Sequence, residues 1–103
     1  MSEQDIQRKI IAWLRKYRCH ATKYIAGAYG TSGEPDVFAS VKCFGDDPPI
    51  ALYIEVKTAT GRLSLIQKYK IAEMESQGHW VCVARSVEDV QVFLAGKGIF
   101  LGD

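Results

Sequence analysis

The sequence predicts a small α/β domain in which a mixed sheet is flanked by helices, with the elements in the order α-β-β-β-α-β-α. Three observations lead there. Ser2, Ser64 and Ser86 are each followed three residues on by Asp5, Gln67 and Asp89, the spacing of a capping box that opens a helix. Four segments between and beside these are short, rich in β-branched, apolar and aromatic side chains, and bounded by turn residues. No repeat, linker or low-complexity stretch interrupts them, so the 103 residues are expected to form one domain over 1–103.

The first helix is expected over residues 3–17, because Ile6, Ile10, Trp13, Leu14 and Tyr17 recur down one face. Its other face carries Arg8, Lys9, Arg15 and Lys16, with Arg18 and Lys23 just beyond. Residues 22–26 follow as a short strand, and residues 27–33, with three glycines, as a loop. That loop lacks both the Gly-Lys-Ser/Thr of a Walker loop and the Gly-x-Gly-x-x-Gly of a dinucleotide fingerprint, which argues against nucleotide binding there. Residues 37–42 and 50–57 are strands joined through Gly45-Asp46-Asp47-Pro48-Pro49 as a hairpin. A second helix runs from Ser64 to about Gln77 and stops at Gly78; residues 79–84 are a strand; the last helix runs from Ser86 to about Leu94 and is ended by Gly96.

Composition sets the outer bounds on function. At 48% hydrophobic and 24% charged residues the chain is that of an ordinary globular protein with a thin core. A formal charge of +1 excludes binding nucleic acid by bulk charge, so a nucleic-acid partner must be held by a local patch. Charge is unevenly placed: residues 1–42 hold seven basic and four acidic side chains, and residues 43–103 hold six and eight. A solvated helix face accounts for the basic segment as well as a partner surface does. The longest apolar runs fall far short of the ~20 residues of a membrane span, and the polar amino terminus does not read as a signal peptide, so a soluble, cytoplasmic protein is expected. Cys19, Cys43 and Cys82 fit neither a disulfide framework nor a Cys-x-x-Cys metal site and read as ordinary thiols.

The chemistry concentrates on the third strand. Period two puts Glu55 and Lys57 on one face, away from Leu52, Ile54 and Val56. A solvated surface pair is the plain explanation of such a Glu-x-Lys. Pro35-Asp36, at the start of the neighbouring strand, adds a second carboxylate that can lie near Glu55 across the hairpin. Two carboxylates converging on one spot repel unless a cation sits between them, and a hard, oxygen-liganded ion such as Mg²⁺ is the natural occupant. With Lys57 beside it, such a set can polarise a phosphodiester and activate water.

Pro35-Asp36, eighteen residues, then Glu55-Val56-Lys57 is the spelling of the PD-(D/E)XK nuclease signature. Together with Glu3 on the opening helix, Gly33-Glu34 before the Pro-Asp, Leu63-Ser64 with Gln67, Gly78 before a β-rich strand, and Ser86-Val87-Glu88-Asp89, the chain resembles the virus-type replication-repair nuclease (VRR-NUC) family over nearly its whole length. The resemblance implies a restriction-endonuclease-like core and a divalent-metal-dependent endonuclease using Mg²⁺ or Mn²⁺. It implies that Asp36, Glu55 and the Val56 carbonyl ligate the metal, that Lys57 positions or activates the attacking water, that Glu3 faces the site as a further ligand or through water, and that Gln67 supports it from the second helix by hydrogen bonds to Lys57 or the scissile phosphate. Gln67 is equally explained as a helix cap, and Glu3 by the helix dipole. Glu34 departs from the family, in which many members have an apolar residue there; a spare carboxylate bears on metal affinity and on DNA approach.

His20 and His79 fall in no motif and are read as structural or exposed; Trp13 and Trp80 as core; Tyr29 as the loop aromatic best suited to touch DNA. A bare module without an added recognition domain is expected to act as a homodimer on branched DNA, since a two-fold pair of sites matches a four-way (Holliday) junction. The alternatives are a flap- or end-directed repair nuclease working with a partner, a catalytically silent DNA-binding module, and an ordinary α/β protein with a coincidental motif. Stand-alone modules of the family resemble phage-encoded proteins.

Overall fold

The computed structural model describes residues 1–24, 34–42 and 47–101. Helix α1 (Glu3–Lys16) opens with the expected reciprocal cap: the Ser2 hydroxyl accepts from the Asp5 N–H at 3.1 Å, and the Asp5 carboxylate accepts from the Ser2 N–H at 3.3 Å. Its stripe of Ile6, Ile10 and Leu14 is buried. Strands β1 (His20–Lys23), β2 (Val37–Val41), β3 (Ile50–Val56) and β4 (Trp80–Ala84) form one sheet in that order. The first two junctions are antiparallel, as a hairpin requires; β3 and β4 are parallel, joined by helix α2 (Leu65–Ser76). Helix α3 (Val87–Gly96) follows β4.

Register explains the core. Val37 pairs with Ile54 and Ala39 with Leu52, so the alternate residues Val37, Ala39, Val41, Leu52, Ile54 and Val56 share one face, all buried. Ile10 and Leu14 of α1 and Val90 and Leu94 of α3 join them in one cluster. Burying each such large side chain contributes roughly 1.5–3 kcal/mol. The α2 helix is different: none of its residues is buried, and it lies on the opposite face, reaching Glu55 through Gln67.

All three helices end with one bonding pattern, in which the N–H two residues past the cap returns to the third-last helical carbonyl: Cys19 to Leu14 at 3.0 Å, His79 to Met74 at 3.1 Å and Ile99 to Leu94 at 2.8 Å. The left-handed residue is Gly78 (φ 91°), Gly98 (φ 82°) and, at α1, Arg18 (φ 64°).

These closures account for the shifted boundaries. The turn at Arg18 starts β1 at His20, two residues earlier than expected, and Ile25 and Ala26 lie outside the described residues. The last helix includes Gly96, because Gly98 is the glycine that takes the left-handed turn. Lys42, Lys57 and His79 flank their strands. The glycine-rich segment 27–33 with Tyr29, and Cys43, Gly45 and Asp46, lie outside the described residues. Among the described residues no helix is long and apolar enough to cross a membrane.

Candidate active site

One step past the Val37–Ile54 pair, Asp36 stands across from Glu55 at the end of the sheet, its N–H donating to the Ile54 carbonyl at 3.0 Å. The Val56 N–H donates to Asp36 Oδ2 at 2.8 Å, fixing that carboxylate against the β3 backbone. Lys57 is anchored by its N–H to the Ala84 carbonyl at 3.0 Å, and its Nζ lies 3.9 Å from Glu55 Oε1. Gln67 caps α2 and also reaches the site, but at Glu55 and not at the expected Lys57. Its Oε1 accepts from the Ser64 N–H at 2.9 Å as a cap, and its Nε2 donates to Glu55 Oε1 at 2.8 Å.

Glu55 is 2% exposed, and among the described residues its Oε2 accepts no hydrogen bond. Burial pushes its pKa from 4.5 up to about 8; the neighbouring Asp36 carboxylate pushes the same way, Lys57 opposes, and Glu3 adds a smaller upward push. A buried carboxylate with an unanswered oxygen is costly. A hard divalent cation between Asp36 and Glu55 would answer that oxygen and oppose the repulsion, so the donor set fits such an ion. Among the described residues no group of three His, Cys, Asp or Glu is gathered as metal ligands, so Glu3, in the first turn of α1, does not join Asp36 and Glu55 as a third close carboxylate.

Three features of the surroundings escape the sequence. Tyr24, whose N–H donates to the Asp36 carbonyl at 2.8 Å, is the neighbour of Asp36 on the other side from Glu55, and its ring packs edge-to-face on Tyr53. Arg85 donates through Nη1 to the Thr58 carbonyl and, at 2.6 Å, to the Gly61 carbonyl, strapping the turn that follows Lys57. Within that turn a Cβ on Gly61 would lie 3.1 Å from Thr58 Oγ1 and 3.5 Å from Lys57 Cδ, so the turn packs on the lysine stem. Glu34 is met by Lys70 of α2 at 4.0 Å, which partly offsets the spare carboxylate. Tyr24 has no motif around it, and Arg85 acts on backbone carbonyls over twenty residues away in sequence; only the preceding strand ends could have hinted at either.

The remaining candidates take quiet roles. Trp13 and Trp80 pack against the core, His20 and His79 stack edge-to-face on Phe38 and Tyr53, and burial raises the Cys19 thiol and pushes Cys82 up to about 12. Both thiols stay protonated and unreactive at neutral pH.

No protein-family model and no curated protein matches the chain. Solved structures share its architecture. One described as a VRR_NUC domain has a TM-score of 0.73 and 18% identity, covering 90% of this chain and 94% of that one. Another, described as a VRR_NUC domain protein, has a TM-score of 0.66 and 20% identity over 92% of this chain and 86% of that one. The fold expected from the sequence is therefore borne out: a small α/β domain with a four-stranded mixed sheet and three helices, shared with the solved VRR_NUC domains.

Proposed function

We propose that this domain is a divalent-metal-dependent DNA endonuclease that hydrolyses phosphodiester bonds. The observation that carries the reading is the buried Glu55 carboxylate, with one oxygen unanswered among the described residues, set across from Asp36 and within reach of Lys57. Solved domains of this fold carry a nuclease name, which supports the same reading.

Asp36, Glu55 and the Val56 carbonyl are the groups that would hold Mg²⁺ or Mn²⁺, with Glu3 contributing through water. When bound, such an ion lowers the pKa of water and offsets charge on the phosphoryl oxygens. Lys57 orients the attacking water and faces the developing negative charge, its backbone held by Ala84 and its turn by Arg85. Gln67 holds the Glu55 carboxylate in place by donating to Oε1, and Oε2 would remain available to a bound ion. The substrate is branched DNA, including four-way junctions, cut by a homodimer whose paired sites match the junction's symmetry. A flap- or end-directed repair nuclease with a partner is the second reading.

Cleavage of labelled four-way junction, flap and linear duplex with Mg²⁺ or Mn²⁺, beside EDTA and Glu55→Ala controls, tests this. Paired symmetric cuts in the junction that vanish in both controls are expected. Preferential flap cutting selects the second reading, and binding without any metal-dependent cutting assigns a silent DNA-binding module.

A further inference from the structure

An open cleft of about 440 Å³ lies between the outer face of α1 and β1, lined by Arg8, Ile11, Ala12, Arg15, Thr22 and Lys23. Three of the six lining residues are cations, none is acidic, and the Thr22 hydroxyl adds a neutral donor. The Arg15 Nε donates to the Ala21 carbonyl at 3.0 Å, which pins the guanidinium at the sheet edge. Arg8 meets Asp5 at 3.1 Å in an exposed pair, a contact of small net worth, and Lys23 is exposed. Lys23 pairs with Val37, and the next step along the same strands is Tyr24 beside Asp36. The cleft therefore begins one residue from the candidate active site and runs away from it along the edge of the sheet.

Its charge selects the occupant. A two-fold contact would set this surface against itself and bring cation to cation, which opposes its use between two copies of the chain. A polyanion with regularly spaced charges suits it, and the apolar floor of Ile11 and Ala12 suits the sugars between them. Resting on the nuclease reading above, we infer that the α1–β1 cleft holds the sugar-phosphate backbone of the DNA strand leading away from the scissile position, with Arg8, Arg15 and Lys23 on successive phosphates. These contacts fix where the DNA lies and carry no base preference.

The test is DNA affinity against salt concentration, by fluorescence anisotropy with EDTA present, for the intact domain, Arg8→Gln/Lys23→Gln, Arg15→Gln and Arg15→Lys, each checked by thermal melting. Each lost contact is expected to reduce the slope of log K against log salt by about 0.9, equally for duplex and junction. Arg15→Lys keeps the charge and is expected to keep the slope. In cleavage assays the Gln variants are expected to raise KM and leave kcat within about twofold, because these residues do not touch the reacting atoms. Unchanged slope and affinity in folded variants overturns the inference, as does loss of dimer with per-subunit DNA affinity intact. A wild-type domain that binds through the cleft but never cuts leaves the cleft standing and removes the nuclease reading. One that cuts while the folded variants bind as before removes the cleft alone. Absence of both binding and cutting removes both.

Discussion

The amide of Gln67 faces two ways, and its two ends are separable by substitution. Gln67→Glu keeps the oxygen that caps Ser64, since Glu and Gln both serve at that position, but loses the donor to Glu55 and adds a like charge beside it. It is expected to leave the melting temperature nearly unchanged when metal is bound and to lower cleavage by about tenfold or more. Gln67→Ala removes both ends and is expected also to cost about 1–2 kcal/mol in denaturant unfolding. Glu55 gives a second prediction. Its carboxyl keeps its proton up to about pH 8 in the folded metal-free protein but ionises near 4.5 when unfolded, so the folded state holds more protons between those values. The resulting stability is fully present below about pH 4.5 and is lost as pH rises through 8. Melting in EDTA is expected to show this decline, on the order of a few kcal/mol, and Glu55→Gln is expected to flatten it while abolishing cleavage. The sequence made Asp36, Glu55 and Lys57 visible because a strand's period of two and a single hairpin relate them. Tyr24 was hidden because its place depends on the register of β1 against β2, which no residue pattern announces.

Helix α1 ends less comfortably than its companions. Arg18 adopts the left-handed conformation that Gly78 and Gly98 supply after α2 and α3, and a Cβ there is unfavourable. Arg18→Gly is expected to raise stability by about 0.5–1 kcal/mol, the relief at Arg18 being partly offset by a more flexible unfolded chain; Gly98→Ala is expected to lower it by about 1 kcal/mol. Thermal melts of the two variants check both signs. Helix starts were legible because capping serines act within one turn. Helix ends were less so, since nothing local announces an arginine as a left-handed terminator or tells Gly96 from Gly98. The pairing of β2 with β3 followed from a short turn, whereas the parallel placement of β4 depends on where the α2 crossover lands.

At the scale of the molecule, 13 basic and 12 acidic residues nearly cancel, yet the cations gathered by α1 and β1 give one side a sign. If the homodimer forms, sedimentation should give twice 11.5 kDa, and the partner should avoid that side. A sheet of this size with helices on both faces could be foretold from element order. Which helix would seal the core could not: α2 has capping as good as α1, but Leu65, Ile66 and Tyr69 are exposed and Ile71 and Met74 only half-buried, so it adds no fully buried side chain. The strand order has a further consequence. Spatial order equals chain order, so no strand must be threaded between two already paired, and the sheet can grow at one edge as the polypeptide leaves the ribosome. Asp36 and Glu55 can be brought together early in synthesis, but Lys57 acquires its Ala84 anchor and its Arg85 strap only when β4 docks. The nascent chain therefore carries both acidic groups well before it carries a fixed lysine, and completion of the fourth strand is the moment at which the centre is armed.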